Sequence, residues 1–261
     1  MKNYFIGIAI VIFILIIFSG FKKVESFQDY NQMKIGTYLI NLERSKRRMV
    51  DISNQCEKAG LKFQRWNAYD GSKLDLNYLK RQRLISNDNK MRLGSLGCGL
   101  SHISLWKNTL KNTDHENLLV FEDDCIIPPD FKKKLNMYMK QVPKNWDIVY
   151  LGGSNIYGKR ISKNVLIPKT VKNSRASFNT GTYCMLIKRR TLPLLLEKNI
   201  PISNNIDQAI KNKVFKHINV YYLYPPLVTH NNEIESDRRV LSNLTPLTGW
   251  FKHVQNRVKI D

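Results

Sequence analysis

Leu118-Leu119-Val120-Phe121-Glu122-Asp123-Asp124 is the stretch that decides the fold. Four apolar residues run without a break into three carboxylates. A short apolar run of this kind, bounded by charge, predicts a compact buried strand. Three adjacent carboxylates at its end repel one another and lose hydration. A divalent cation relieves both costs, and hard oxygen ligands suit Mg²⁺ or Mn²⁺. Side chains alternate along an extended segment. Glu122 and Asp124 are therefore expected on one side, sharing a metal and its bound phosphates, with Asp123 on the other and assigned to the donor. The competing reading is an acidic surface turn, although such turns seldom follow directly on a strand like Leu118–Phe121.

Working outward, further strands are expected at Ile35–Ile40, Leu61–Ala68, Asp147–Leu151, Gly181–Ile187 and Ile218–Tyr224. Helices are expected over 43–59, 100–112, 130–141, 189–198 and 206–215, with one possible short helix in the basic stretch 72–93. Asn41 is read as a cap for the first helix and Gly60 as its stop. Gly94–Gly99 is read as a glycine-rich turn that opens the helix from Leu100. Strands alternating with helices predict an α/β sheet with helices on both faces. Ligands bind such sheets at the carboxyl ends of the strands. Asn41 and Arg44, Asp70 and Gly71, the acidic triplet, and Gly152-Gly153 all fall there. Arg44, Lys46, Arg47 and Arg48 crowd a helix start where the dipole favours acids, so an anionic group is expected nearby. A diphosphate leaving group fits, with Arg44 and Arg48 helping to meet its developing charge.

The chain has 261 residues, enough for one ordinary domain with small attachments. An apolar fraction of 43% excludes wholesale disorder. Lys and Arg number 42 against 21 acids, a net charge of +21. That excess implies an anionic partner, or it reflects a composition rich in Lys, Asn and Ile with no binding role. The four cysteines, Cys56, Cys98, Cys125 and Cys184, form no C-x-x-C pair, so no structural zinc site is expected. They read as small buried hydrophobes, with one bridge open in an oxidising compartment. Neither a P-loop nor a G-x-G-x-x-G fingerprint is present.

Tyr4–Phe21 carries no charge over 18 residues, enough to cross most of a ~30 Å hydrocarbon core. It reads as a membrane anchor over 1–21, with a cleaved signal peptide as the alternative. Residues 22–33 make a polar stem, and 34–261 the catalytic domain. The protein is then expected at a membrane: facing the ER or Golgi lumen if eukaryotic or viral, or at a bacterial membrane otherwise.

In this order and spacing the motifs resemble glycosyltransferase family 25, which includes lipooligosaccharide and procollagen galactosyltransferases. The matching stretches are Ile40-Asn41-Leu42 with Arg44 and Arg48, Ala68-Tyr69-Asp70-Gly71 and Gly97-Cys98-Gly99-Leu100-Ser101-His102. Phe121-Glu122-Asp123-Asp124, Trp146–Gly152, and Ile206-Asp207 after Pro201 continue the series. The resemblance covers roughly residues 35–240 and is poor over 155–178. It implies a GT-A fold with a mixed, mostly parallel sheet and a nucleotide-sugar donor, usually UDP-galactose. It also implies inversion at the sugar carbon, with the sugar passed to a glycan or hydroxylysine hydroxyl. Inversion needs a general base. Asp207 matches a family Asp and is assigned that role, against capping its helix. His230 is assigned to the metal with Glu122 and Asp124, against a structural role. His102 either orients the donor or hydrogen-bonds locally. Asp237 matches a family Ser-Asp step.

Two other classes compete. A nucleic-acid-binding protein would explain the charge, but it needs a basic face interleaved with aromatics or a reader motif, and the sequence displays neither. An inactive, lectin-like module on the same fold would have no use for the acidic triplet.

Overall fold

Buried strands and amphipathic helices assemble as the alternation dictates. In chain order the elements are β1 (Ile35–Asn41), α1 (Lys46–Lys58), β2 (Gln64–Asn67), α2 (Leu76–Arg81), α3 (Leu93–Asn112), β3 (Asn117–Glu122), β4 (Cys125–Ile126), α4 (Phe131–Met139), β5 (Ile148–Tyr150), β6 (Tyr157–Ser162), β7 (Val165–Pro168), β8 (Cys184–Lys188), α5 (Leu192–Asn199), α6 (Ile206–Lys213), β9 (Val220–Leu223), β10 (Thr229–His230) and β11 (Lys259–Ile260). The computed structural model describes residues 32–169, 178–231 and 259–260. The apolar run Tyr4–Phe21, most of the stem and Asp237 lie outside the described residues. No helix among the described residues is long and apolar enough to cross a membrane.

One sheet has the order β11-β6-β7-β9-β5-β8-β3-β1-β2, and β4 pairs separately with β10. Within the large sheet only β7 and β8 run against the shared direction, so it is mixed and mostly parallel. Its central strands are buried on both faces. Along β3, Leu119 and Phe121 enter one apolar cluster while Leu118 and Val120 enter the other. The first cluster is closed by Ile52 and Cys56 of α1 and by Phe131 and Leu135 of α4. The second is closed by Leu96, Leu100 and Ile103 of α3, with Leu192 of α5 and Ile206 and Ile210 of α6.

Local chemistry sets the helix ends. Gly60 has φ +63°, and Leu61 N–H reaches Cys56 O at 2.8 Å while Gly60 N–H reaches Glu57 O at 2.9 Å. That pair of bonds is a glycine-terminated Schellman stop for α1. The start of α1 corrects one expectation. Ser45, not Asn41, occupies the N-cap, and Asn41 closes β1 instead. A second correction concerns Gly94–Gly99, which lies inside α3 rather than before it. Low glycine propensity yields there to packing, because a Cβ on Gly97 would sit 2.5 Å from Tyr69 O and one on Gly71 would sit 2.4 Å from Leu93 O. The turn after β2 and the first turns of α3 meet backbone to backbone. The second expected strand contracts to Gln64–Asn67, an edge strand. The hairpin of β6 and β7 was not anticipated, since YGKRIS shows little apolar signal.

Candidate active site

The carboxyl ends of β1 and β3 are neighbours, with Ile40 opposite Glu122. Asn41 is buried there and works as a bracket. Its Nδ2 donates to Asp123 Oδ2 at 2.7 Å and to Ser45 O at 3.2 Å, while its Oδ1 accepts from Arg65 Nε at 2.9 Å. Arg48 Nη1 donates to Asp123 Oδ1 at 3.3 Å. Burial pushes the Asp123 carboxyl up to about 6, and the neighbouring Asp124 charge adds to this, while Asn41 and Arg48 oppose it. The anionic group expected beside the basic start of α1 therefore includes the chain's own Asp123.

Arg44 pairs with Asp70. Asp70 Oδ1 also accepts from Ser72 N at 3.0 Å and Ser72 Oγ at 2.7 Å, capping the short 3-10 turn Gly71–Lys73. Burial works to raise the Asp70 carboxyl, but the bonds from Ser72 and Arg44 outweigh it and hold the group below its ordinary value. Ser101 Oγ accepts from Tyr69 N at 2.9 Å and donates to Gly97 O at 2.7 Å, tying this turn to α3.

The structure gives Glu122 and Asp124 different partners. Glu122 Oε1 lies 3.0 Å from His102 Nε2 and accepts from Thr182 Oγ1 at 2.6 Å. Asp124 Oδ2 lies 3.0 Å from His230 Nε2, and its Oδ1 is buried with no hydrogen-bond partner among the described residues. The small β4–β10 sheet makes this second pair. It sets His230 opposite Cys125, and Asn231 N donates to Asp124 O at 2.7 Å. Bringing Asp124 and His230 together over 106 residues is thus a matter of two strand residues on each side.

Asp207 is the second residue of α6, whose N-cap is Asn205. Its Oδ1 accepts from Gln208 N at 2.8 Å, satisfying one orphan amide of the first turn. Its Oδ2 accepts from Gly181 N at 3.1 Å. Gly181 has φ +87° and immediately precedes Thr182, the partner of Glu122. The carboxylate retains acceptor capacity beyond these two bonds.

Sequence reasoning brought forward Asn41, Arg48, Asp123, Glu122, Asp124, His102 and His230, and the fold gathers them at the carboxyl ends of β1 and β3. It missed Arg65, Thr182, Gly181 and Cys98. The first three carry no local signal, since each acts across the fold. Cys98 carried one: with α3 starting at Leu93, Cys98 and His102 stand one helical turn apart.

The family model described as glycosyltransferase family 25 (LPS biosynthesis protein) matches residues 34–218. Procollagen galactosyltransferase 2 of Mus musculus is 28% identical over 156 residues, 56% of this chain and 24% of that protein. A glycosyltransferase 25 family member of Aedes aegypti is 29% identical over 188 residues, 67% of this chain and 31% of that protein. The chain thus spans between a quarter and a third of the length of these relatives. Among solved structures, a glycosyltransferase involved in glycosylation of the major capsid of PBCV-1 overlays with a TM-score of 0.46 at 10% identity, over 80% of this chain and 98% of that one.

Proposed function

Since the chain belongs to glycosyltransferase family 25, we propose that it moves a hexose, galactose in the first instance, from a UDP-sugar to a hydroxyl of a glycan or of hydroxylysine in a collagen-like protein, with inversion and a divalent cation. The observation that carries this reading is the state of Asp124. A buried carboxylate oxygen without a partner costs roughly 1–3 kcal/mol or more, and a cation removes that cost. Asp124 and His230 fit a hard ion such as Mn²⁺ or Mg²⁺, which takes few protein ligands and fills its shell with phosphate oxygens and water. When bound, such an ion offsets the charge developing on the UDP leaving group.

The remaining residues divide by position. Asn41, Arg48 and Asp123 form one hydrogen-bonded wall beside the cation ligands, suited to holding the nucleoside. Asp70 and Gly71 form the adjoining turn, and Arg44 pairs with it from the β1–α1 connection. Asp207 takes the proton from the acceptor hydroxyl as it attacks. His102 orients Glu122. In this reading the charge-free run Tyr4–Phe21 holds the domain at a membrane.

The test is UDP release and sugar transfer from UDP-galactose, UDP-glucose and UDP-N-acetylglucosamine onto hydroxyl acceptors, with and without EDTA. Activity is expected with one donor, absent in EDTA, and absent in a folded Asp124→Ala variant. Full activity in excess EDTA would overturn the cation's role, and no turnover with any UDP-sugar would overturn the donor class.

A further inference from the structure

We infer that Cys98, His102 and Glu122 form a binding site for a borderline-soft transition metal, Zn²⁺ in the first instance, separate from the hard-cation position at Asp124 and His230. One ligand atom from each of the three residues lies within 4.8 Å of the other two. The spacing is built into the helix. Cys98 and His102 are four apart on α3 and so share a face, and Glu122 approaches them from the end of β3. The lack of a C-x-x-C pair does not bear on such a site, whose ligands come from two elements.

The chemistry selects the metal. A thiolate, an imidazole and a carboxylate match the ligands of zinc, whereas a thiolate is a poor ligand for Mg²⁺ and Mn²⁺. Three protein ligands leave a fourth position open. Thr182 already holds Glu122 Oε1 at 2.6 Å, as an outer partner fixes a ligand carboxylate. On ligation the Cys98 thiol releases its proton to solvent and the imidazole binds neutral. A purely structural account of His102 is weaker. The ring is fully buried, yet among the described residues its Nδ1 has no hydrogen-bond partner and its one polar bond is to Glu122. Buried histidines kept for packing usually satisfy both nitrogens.

The full chain, purified free of metal, is titrated with Co²⁺ in the absence of donor and acceptor. A thiolate-to-cobalt charge-transfer band is expected, displaced by Zn²⁺. It should vanish in Cys98→Ser, weaken at least tenfold in apparent affinity in His102→Gln and Glu122→Gln, and persist in Asp124→Ala and His230→Ala. A second measurement needs no variant. Cys98 is the one cysteine of the four that is not buried, so alkylation of the native protein reports on it. Zn²⁺ should slow that alkylation at least tenfold, and Mg²⁺ should not. No charge-transfer band in wild type, a band that survives Cys98→Ser, or alkylation indifferent to Zn²⁺ overturns the site. None of these readouts depends on sugar transfer, so they stand apart from the fate of the proposed reaction.

Discussion

The two ends of the sheet treat buried charge differently. Where β5 and β9 begin, Asp147 Oδ1 takes Arg190 Nε at 3.0 Å and its Oδ2 takes Asn219 N at 2.9 Å. Beside it, Arg189 donates to Thr109 O and Leu110 O, both at 2.6 Å, closing the last turn of α3. The polar groups of Asp147 and Arg189 at that end are matched by partners from the chain itself. Where β1 and β3 finish, Asp124 Oδ1 and His102 Nδ1 have no hydrogen-bond partner among the described residues, and Asp123 is held above its ordinary range. Folding alone favours the first arrangement. The second persists at a cost in stability, and such costs mark places where a ligand completes the structure. The contrast separates an end where Asp147 and Arg189 are paired within the chain from the end where the expected site residues gather.

Three measurements press on that contrast, the largest effect first. Asp207→Asn keeps an acceptor for Gln208 N but loses both the Gly181 bond and the basicity of the carboxylate. Steady-state kinetics should show transfer lowered at least about a hundredfold, with donor binding near wild type, because a lost general base costs ~10²–10⁴. Turnover within a few-fold of wild type would move Asp207 to the structural side.

The next is a pH effect. Asp123 titrates at about 6 in the fold against 3.8 in its reference state. The folded chain binds this proton more tightly, so the group's contribution to stability is present below pH ~4 and is lost as pH rises through about 6. At roughly 1.4 kcal/mol per unit, that loss approaches 3 kcal/mol. Urea denaturation in EDTA should show Asp123→Asn gaining on wild type by about 2–3 kcal/mol between pH 4 and 7.5. A pH-independent gap would mean the carboxylate carries no such cost.

The smallest belongs to the Asp147 end. Asp147→Asn keeps an oxygen for Asn219 N and unpairs Arg190, whose side chain is 60% exposed and well screened. A loss of about 1 kcal/mol or less is expected in denaturation, with transfer per folded molecule unchanged. A large drop in transfer would erase the distinction between the two ends.

Much of the layout was legible in the sequence. β1, β3, β5, β8 and β9 are runs of apolar and β-branched residues, because strands buried on both faces need nothing else. β2 was misplaced because Leu61 and Phe63 pack on the core from outside the strand, while its own Gln64–Asn67 is polar and largely exposed. The glycine run was misread because propensity speaks for turns and only tertiary contact explains Gly97 in a helix. That error also hid the spacing of Cys98 and His102. Alternation along Glu122-Asp123-Asp124 was the available rule, but it knows nothing of His102 and Thr182 reaching in from other elements. The Asp147 network left no trace in the local sequence, since its partners lie 43 and 72 residues away.

The meeting of Gly71 with α3 joins the turn after β2 and the helix into one mechanical part. Asp70, the partner of Arg44, rides on the turn, and Cys98 and His102 ride on the helix it touches. A methyl group at position 97 would press on Tyr69 O and on the Gly71 backbone. Such a change removes no functional group, yet it shifts the turn that carries Asp70 against the helix that carries Cys98 and His102. The spacing between these groups is therefore written in a missing side chain.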